Sequence, residues 1–83
     1  MTQFSFEDTF TKVAALIADK LGIEKQRITK ESTLTDLGAD SLDLVEIIMK
    51  LEEQFAIEIN DEDAQNLENV HQVVEYIQQR RTK

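Results

Sequence analysis

Apolar residues return every three or four positions over long stretches of this chain, and that spacing marks one face of an amphipathic helix. Phe6, Phe10, Val13, Ile17 and Leu21 form the first series and predict a helix over residues 6–21. Ser5 stands in front of it as N-cap, and Glu7 and Asp8 fill the first turn, where the helix dipole favours acids. Gly22 ends it by taking a left-handed conformation. A second helix starts at Asp40 or Ser41 and ends near Phe55. Leu44, Ile48, Leu51 and Phe55 make one stripe along it, and Leu42, Val45 and Met49 make another, rotated from the first. Asp43, Glu46, Glu52 and Glu53 supply its charge. A helix apolar over more than one face has something besides the core to bind, with Val45 and Met49 expected to be shared between core and surface. A short third helix is predicted over residues 61–67, capped by Asn60 or Asp61. The last covers residues 69–79, with Asn69 as cap and Val70, Val73, Val74 and Ile77 buried. The only hint of strand alternation is at residues 55–59.

Residues 23–39 lie between the first two helices. Ile23, Ile28, Leu34 and Leu37 are too irregularly spaced for an amphipathic helix and are expected to anchor a long loop to the core; loops of this length in compact domains often carry function. There is no proline and there are only two glycines, Gly22 and Gly38, so little interrupts the helices. The expected fold is all-α: one domain over residues 1–83, a four-helix bundle of three main helices and a short third, with frayed ends at 1–5 and 80–83.

Composition narrows what such a bundle does. Eighty-three residues hold one core, and a chain this short buries only about 60% of its unfolded surface. With no cysteine there is neither a disulfide nor a thiolate metal site, and a single histidine, His71, leaves no multi-histidine site and no good partner for a catalytic serine. His71 is expected at the surface without a catalytic role. No spacing resembles a dedicated calcium loop, so no metal is assigned. No apolar run approaches the roughly 18 residues that cross a bilayer, and residues 1–10 lack the features of a signal peptide. The expectation is a cytosolic monomer, or an organellar matrix or stromal protein after removal of a transit peptide. Seventeen acidic against nine basic residues give a net charge of −8. That field repels nucleic acid and anionic membranes and attracts basic protein surfaces.

The chemistry concentrates in Asp36-Leu37-Gly38-Ala39-Asp40-Ser41-Leu42-Asp43. Ser41 stands where a loop enters a helix, behind two small residues that leave its hydroxyl open, and between two acids. Three readings of Ser41 compete: a hydrolytic nucleophile, a plain helix cap, or an exposed hydroxyl that another enzyme modifies. The first lacks a base, sets acids where an oxyanion would form, and does not match the Gly-x-Ser-x-Gly elbow. Residue type and position leave the other two open.

This segment resembles the phosphopantetheine attachment motif of acyl carrier proteins. The resemblance continues through Val45-Glu46, Met49, Leu51-Glu52-Glu53, Phe55, Ile59, Asp61-Glu62-Asp63-Ala64 and residues 74–77, and so spans nearly the whole chain. It implies an acyl-carrier-like bundle that is not an enzyme but the substrate of others. A phosphopantetheinyl transferase would move 4′-phosphopantetheine from coenzyme A to Ser41, with Asp40 and Leu42 as the flanking motif. Acyl groups would then travel as thioesters on that arm through fatty acid biosynthesis, within lipid metabolism. The resemblance also implies a docking face for enzymes with basic patches: Asp40, Asp43, Glu46, Glu52 and Glu53 for ion pairs, and Leu42, Val45 and Met49 for shallow apolar pockets. Ile59, Ala64, Leu67 and Tyr76 would line an acyl pocket, although ordinary core packing explains them equally. Glu62 and Asp63 read as a solvated face. The chain departs from the family pattern at Asn60, where many relatives have proline, and at Lys50 and Gln54, which dilute the acidic face. A carrier for a polyketide, aminoacyl or lipid-modification pathway shares all these features. An acidic helical adaptor that is never modified shares all but the small-residue approach to Ser41.

Overall fold

In a computed structural model, residues 5–81 are described and form four α-helices: α1 (Phe6–Leu21), α2 (Ser41–Phe55), α3 (Asp61–Gln65) and α4 (Val70–Arg81). The Ser5 side chain accepts the Asp8 N–H at 3.0 Å and starts α1. Gly22 ends it at φ +68°, a conformation that costs an L-residue roughly 1–2 kcal/mol. α4 begins with a reciprocal cap. Asn69 Oδ1 accepts the Gln72 N–H (2.8 Å), and Gln72 Oε1 accepts the N–H groups of Glu68 (2.8 Å) and Asn69 (3.2 Å).

Burial follows the periodicity with one correction. Val13, Ile17, Leu51, Val70, Val73, Val74 and Ile77 are buried as predicted. On α2, however, the residue that joins Leu51 at the centre of the core is Ile47, 1% exposed. Leu44, Ile48 and Phe55 are only half-buried at the edges of that face. Ile47 belongs to neither of the two apolar stripes that the spacing predicts on this helix. In a helix with apolar residues at eight positions, spacing alone does not say which direction points inward.

The connection between α1 and α2 is more ordered than a plain loop. It holds one 3-10 turn at Lys25–Arg27 and buries Ile28, Leu34 and Leu37. It is also tied to the α3–α4 linker through backbone bonds. Leu34 N–H donates to Glu68 O, Val70 N–H to Ser32 O, and His71 N–H to Lys30 O, around an isolated bridge between Thr33 and Asn69. Residues 56–60, which start with Ala56 in a left-handed conformation, form no strand. α3 ends at Gln65 rather than near residue 67, and α4 continues to Arg81.

Fraying was expected at Arg80 and Arg81, and the structure shows both inside α4. Arg81 lies where three helices meet. Its Nη1 donates to Asp8 Oδ2 (3.2 Å) and Thr9 Oγ1 (3.0 Å), and its guanidinium lies 4.8 Å from the Phe55 ring centre. Thr9, fully buried, donates in turn to Gln78 Oε1. Arg80 stacks on Tyr76 at 3.5 Å. Ser5, also expected to fray, is the α1 cap; the rest of the two predicted frayed ends, residues 1–4 and 82–83, lies outside the described residues.

Partial desolvation pushes the Asp8 carboxyl upward, but hydrogen bonds from Lys12 and Arg81 outweigh it, so Asp8 titrates below its ordinary value. A depressed carboxylate stabilises the fold above its unfolded pKa, near 3.9, and that contribution is lost as pH falls through the folded value. Asp8→Asn is therefore expected to melt below the parent at pH 7. The two melting temperatures should converge toward about pH 2, as thermal melts across the acid range would show.

Candidate functional site

Asp40, not Ser41, is the N-cap of α2. Its Oδ1 accepts the Asp43 N–H at 2.8 Å, and Asp43 Oδ2 accepts the Asp40 N–H at 3.3 Å, a reciprocal capping box. Each acid also suits the positive end of the helix dipole. With the cap supplied by its neighbour, Ser41 is the first helical residue, and its hydroxyl is not needed to start the helix. The plain-cap reading of Ser41 fails on this point.

The approach to Ser41 is shaped by the three residues before the cap. Leu37 and Ala39 are turned inward, each 8% exposed, and are fastened by backbone bonds: Leu37 and Ala39 N–H donate to Leu34 O, and Gly38 N–H to Thr35 O. Gly38 completes the turn at φ +99° with nothing within 4 Å of the place a Cβ would occupy. The buried methyl and the open glycine clear the space in front of α2, and Ser41 is exposed there. His71 is occupied elsewhere: its ring lies 5.4 Å from that of Phe6, and Nε2 is 3.4 Å from Glu75. Ser41 thus has the access a modifying enzyme requires.

The outer face of α2 follows directly. At about 100° per residue, Leu42, Val45 and Met49 fall within roughly 60° of one another, on the side away from Ile47. They are 67%, 55% and 54% exposed, the large apolar side chains most open to solvent among the described residues. Val45 and Met49, expected to be partly core, are surface residues. The acids around them divide into two sets. Asp40, Asp43 and Glu53 contact no other helix through a described ion pair. Glu46, in contrast, pairs with Lys20 of α1, and Glu52 Oε2 accepts the Ile59 N–H at 2.9 Å. The hydrogen bond that Lys20 donates to Glu46 is the largest of the effects on the Lys20 pKa, and it raises it. Glu46 and Glu52 therefore hold the bundle together as well as charging its surface. These partners are distant in sequence, and spacing does not reveal them.

The four residues considered for an acyl pocket all pack in or against the one hydrophobic core. Ile59 is 5% exposed, while Ala64, Leu67 and Tyr76 pack half-buried against the same core. Asp63, expected on a solvated face, accepts the Tyr76 hydroxyl at 2.6 Å and lies 3.9 Å from Arg80. Burial, then this bond, raises the Tyr76 pKa. One surface depression of the bundle lies between α1 and α2, beside Ala15, Leu16, Lys50 and Gln54. Among the described residues no cluster of three or more His, Cys, Asp or Glu side chains is arranged to hold a metal ion. Among the described residues no helix is long and apolar enough to cross a membrane.

Comparison with known proteins agrees with this geometry. The family model for the phosphopantetheine attachment site matches residues 11–77. Acyl carrier proteins from two strains of Clostridium perfringens are each 56% identical over 69 residues, covering 82% of this chain and 91% of theirs. The solved structure of the acyl carrier protein from Enterococcus faecalis superposes with a TM-score of 0.77 at 36% identity, over 92% of this chain and 98% of that one. The HMG-ACPI domain from the CurA module of Lyngbya majuscula gives a TM-score of 0.84 at 19% identity, over 95% and 80%, a likeness of fold alone. A helix opened by an acidic capping box, an exposed serine as its first residue and relatives this similar over most of their length lead to one conclusion: the chain belongs to the acyl carrier protein family.

Proposed function

We propose that Ser41 is the attachment point of 4′-phosphopantetheine and that the protein delivers acyl groups to the enzymes of fatty acid biosynthesis. The observation that carries this reading is the exposed hydroxyl at the first position of α2, released from capping by Asp40. Ser41 Oγ, losing its proton to a base of the transferase, forms the new bond to phosphorus as adenosine 3′,5′-bisphosphate leaves coenzyme A. When bound, the arm supplies the thiol that the cysteine-free chain lacks, and that thiol carries acyl groups as thioesters. The chain's own residues attach, present and recognise, and its clients do the catalysis. The family match also fits carriers of polyketide, aminoacyl or lipid-modification pathways; the acyl groups recovered from the arm in cells distinguish them.

In this reading Leu42, Val45 and Met49 enter shallow apolar pockets on the partner, while Asp40, Asp43 and Glu53, joined at the edges by Glu46 and Glu52, meet basic rims. Exposed ion pairs contribute about 0–1 kcal/mol each, which suits a carrier that must dissociate between steps. The acyl chain would lie against Ile59, Ala64, Leu67 and Tyr76 after local rearrangement. The protein works as a cytoplasmic monomer, or in an organellar matrix or stroma.

The test is intact mass before and after incubation with coenzyme A, magnesium and a broad-specificity phosphopantetheinyl transferase. A gain of one phosphopantetheine supports the reading. No gain, from folded and unmodified protein, favours the unmodified adaptor. Loading should also slow as salt is raised from about 0.01 M to about 0.5 M, because the Debye length shrinks from roughly 30 Å to less than 8 Å. The slowing should appear in kcat/KM, since screening weakens encounter between an acidic face and a basic one.

A further inference from the structure

The outer face of α2 carries an oxidisable group at its centre. By angle around the helix, Met49 falls between Val45 and Leu42, and its side chain is 54% exposed. The chain has no cysteine and no tryptophan, and its only other methionine is Met1. Met49 is therefore the one sulfur among the described residues. Its neighbours on the face are acidic, and the net charge is −8. That field disfavours approach of anionic oxidants and leaves neutral hydrogen peroxide unopposed.

We propose that Met49 is a peroxide-sensitive modification site, and that its conversion to the sulfoxide loosens the carrier from its partners; this rests on the docking face proposed above. A lone pair of the thioether sulfur attacks one peroxide oxygen and the O–O bond breaks. The sulfur keeps that oxygen and is oxidised by two electrons, and the other oxygen leaves as water. A methionine sulfoxide reductase with a dithiol reverses the change, giving back the thioether, a disulfide and water. The fold does not depend on this side chain, because Ile47 and Leu51, on the opposite side of α2, supply the core. Docking does depend on it. A flexible apolar group that fills a shallow pocket becomes a polar one that must be stripped of water to enter.

The experiment uses the unmodified protein, so that no arm thiol competes for peroxide. After treatment with hydrogen peroxide, peptide mapping should find Met49 oxidised at a rate within several-fold of the same residue in the urea-unfolded chain, with the thermal melt unchanged. Loading by the transferase should then slow about tenfold, mainly through KM, the scale expected when one polar group is desolvated without a partner. Reductase and dithiol should restore it. Met49→Gln should load slowly without peroxide, and Met49→Leu should load at one rate before and after treatment. Val45→Glu serves as the control for the docking face. If Val45→Glu slows loading but the oxidised protein loads at the untreated rate, the proposal is overturned while the docking face stands. If neither slows, the docking face fails and the proposal falls with it. Strong protection of Met49 in the folded protein also overturns it.

Discussion

Ser41→Ala is expected to leave a folded bundle that gains no mass with coenzyme A and transferase and carries no acyl group. The loss should be complete rather than graded, because the hydroxyl oxygen is itself an atom of the bond being made. No other side chain substitutes for it: Asp40 and Asp43 hold each other in the capping box, and carboxylates cannot form the same phosphodiester. Stability should change by no more than about 0.5 kcal/mol. Ser41 is exposed, caps nothing, and alanine is the better helix former. Circular dichroism and intact mass on the same sample check both halves. A Ser41→Ala protein that still becomes loaded would falsify the attachment site. One that fails to fold would show that Ser41 has a structural role the geometry does not reveal.

Ile47→Ala should have the largest effect on stability. The side chain is 1% exposed at the centre of the core formed with Val13, Ile17, Leu51, Val73, Val74 and Ile77. Deleting it removes apolar contacts and leaves a void, at a cost of about 2–5 kcal/mol. A domain this small has few kilocalories in reserve, and the melting temperature should fall by on the order of 10–30 °C. Val45→Ala, two residues earlier on the same helix, should melt within a few degrees of the parent and show its effect in partner binding, since Val45 is 55% exposed. Thermal melts of the two variants side by side test which face of α2 is inside. Equal melts would mean that α2 does not turn Ile47 inward and Val45 outward.

That rotation is where reading the sequence met its limit. On α1 and α4 the period and the caps agree, and Ser5, Gly22 and Asn69 act where the sequence places them. On α2 eight apolar residues surround much of the helix, and a three-four rhythm can be drawn through them in more than one way. For that reason the spacing does not single out Ile47 as core, and it leaves Val45 and Met49 shared between core and surface. The end of α2 was also weakly marked. Ala56 takes the left-handed position at φ 55° that glycine usually fills, so no breaker signals the turn.

Local chemistry therefore determined a good deal of this protein. The helices, most of their caps, the small-residue approach to Ser41 and the acidic balance all depend on neighbours within about four positions, the range over which periodicity and capping act. Tertiary structure decided what depends on distant partners. It set which side of α2 faces the core, and it tied Glu46 to Lys20 and Glu52 to the Ile59 amide. It drew Arg81 out of an expected frayed end into a contact with Asp8, Thr9 and Phe55. These outcomes turn on which surfaces meet when the helices pack. A residue's position in the sequence does not record how far away in the chain its partner lies.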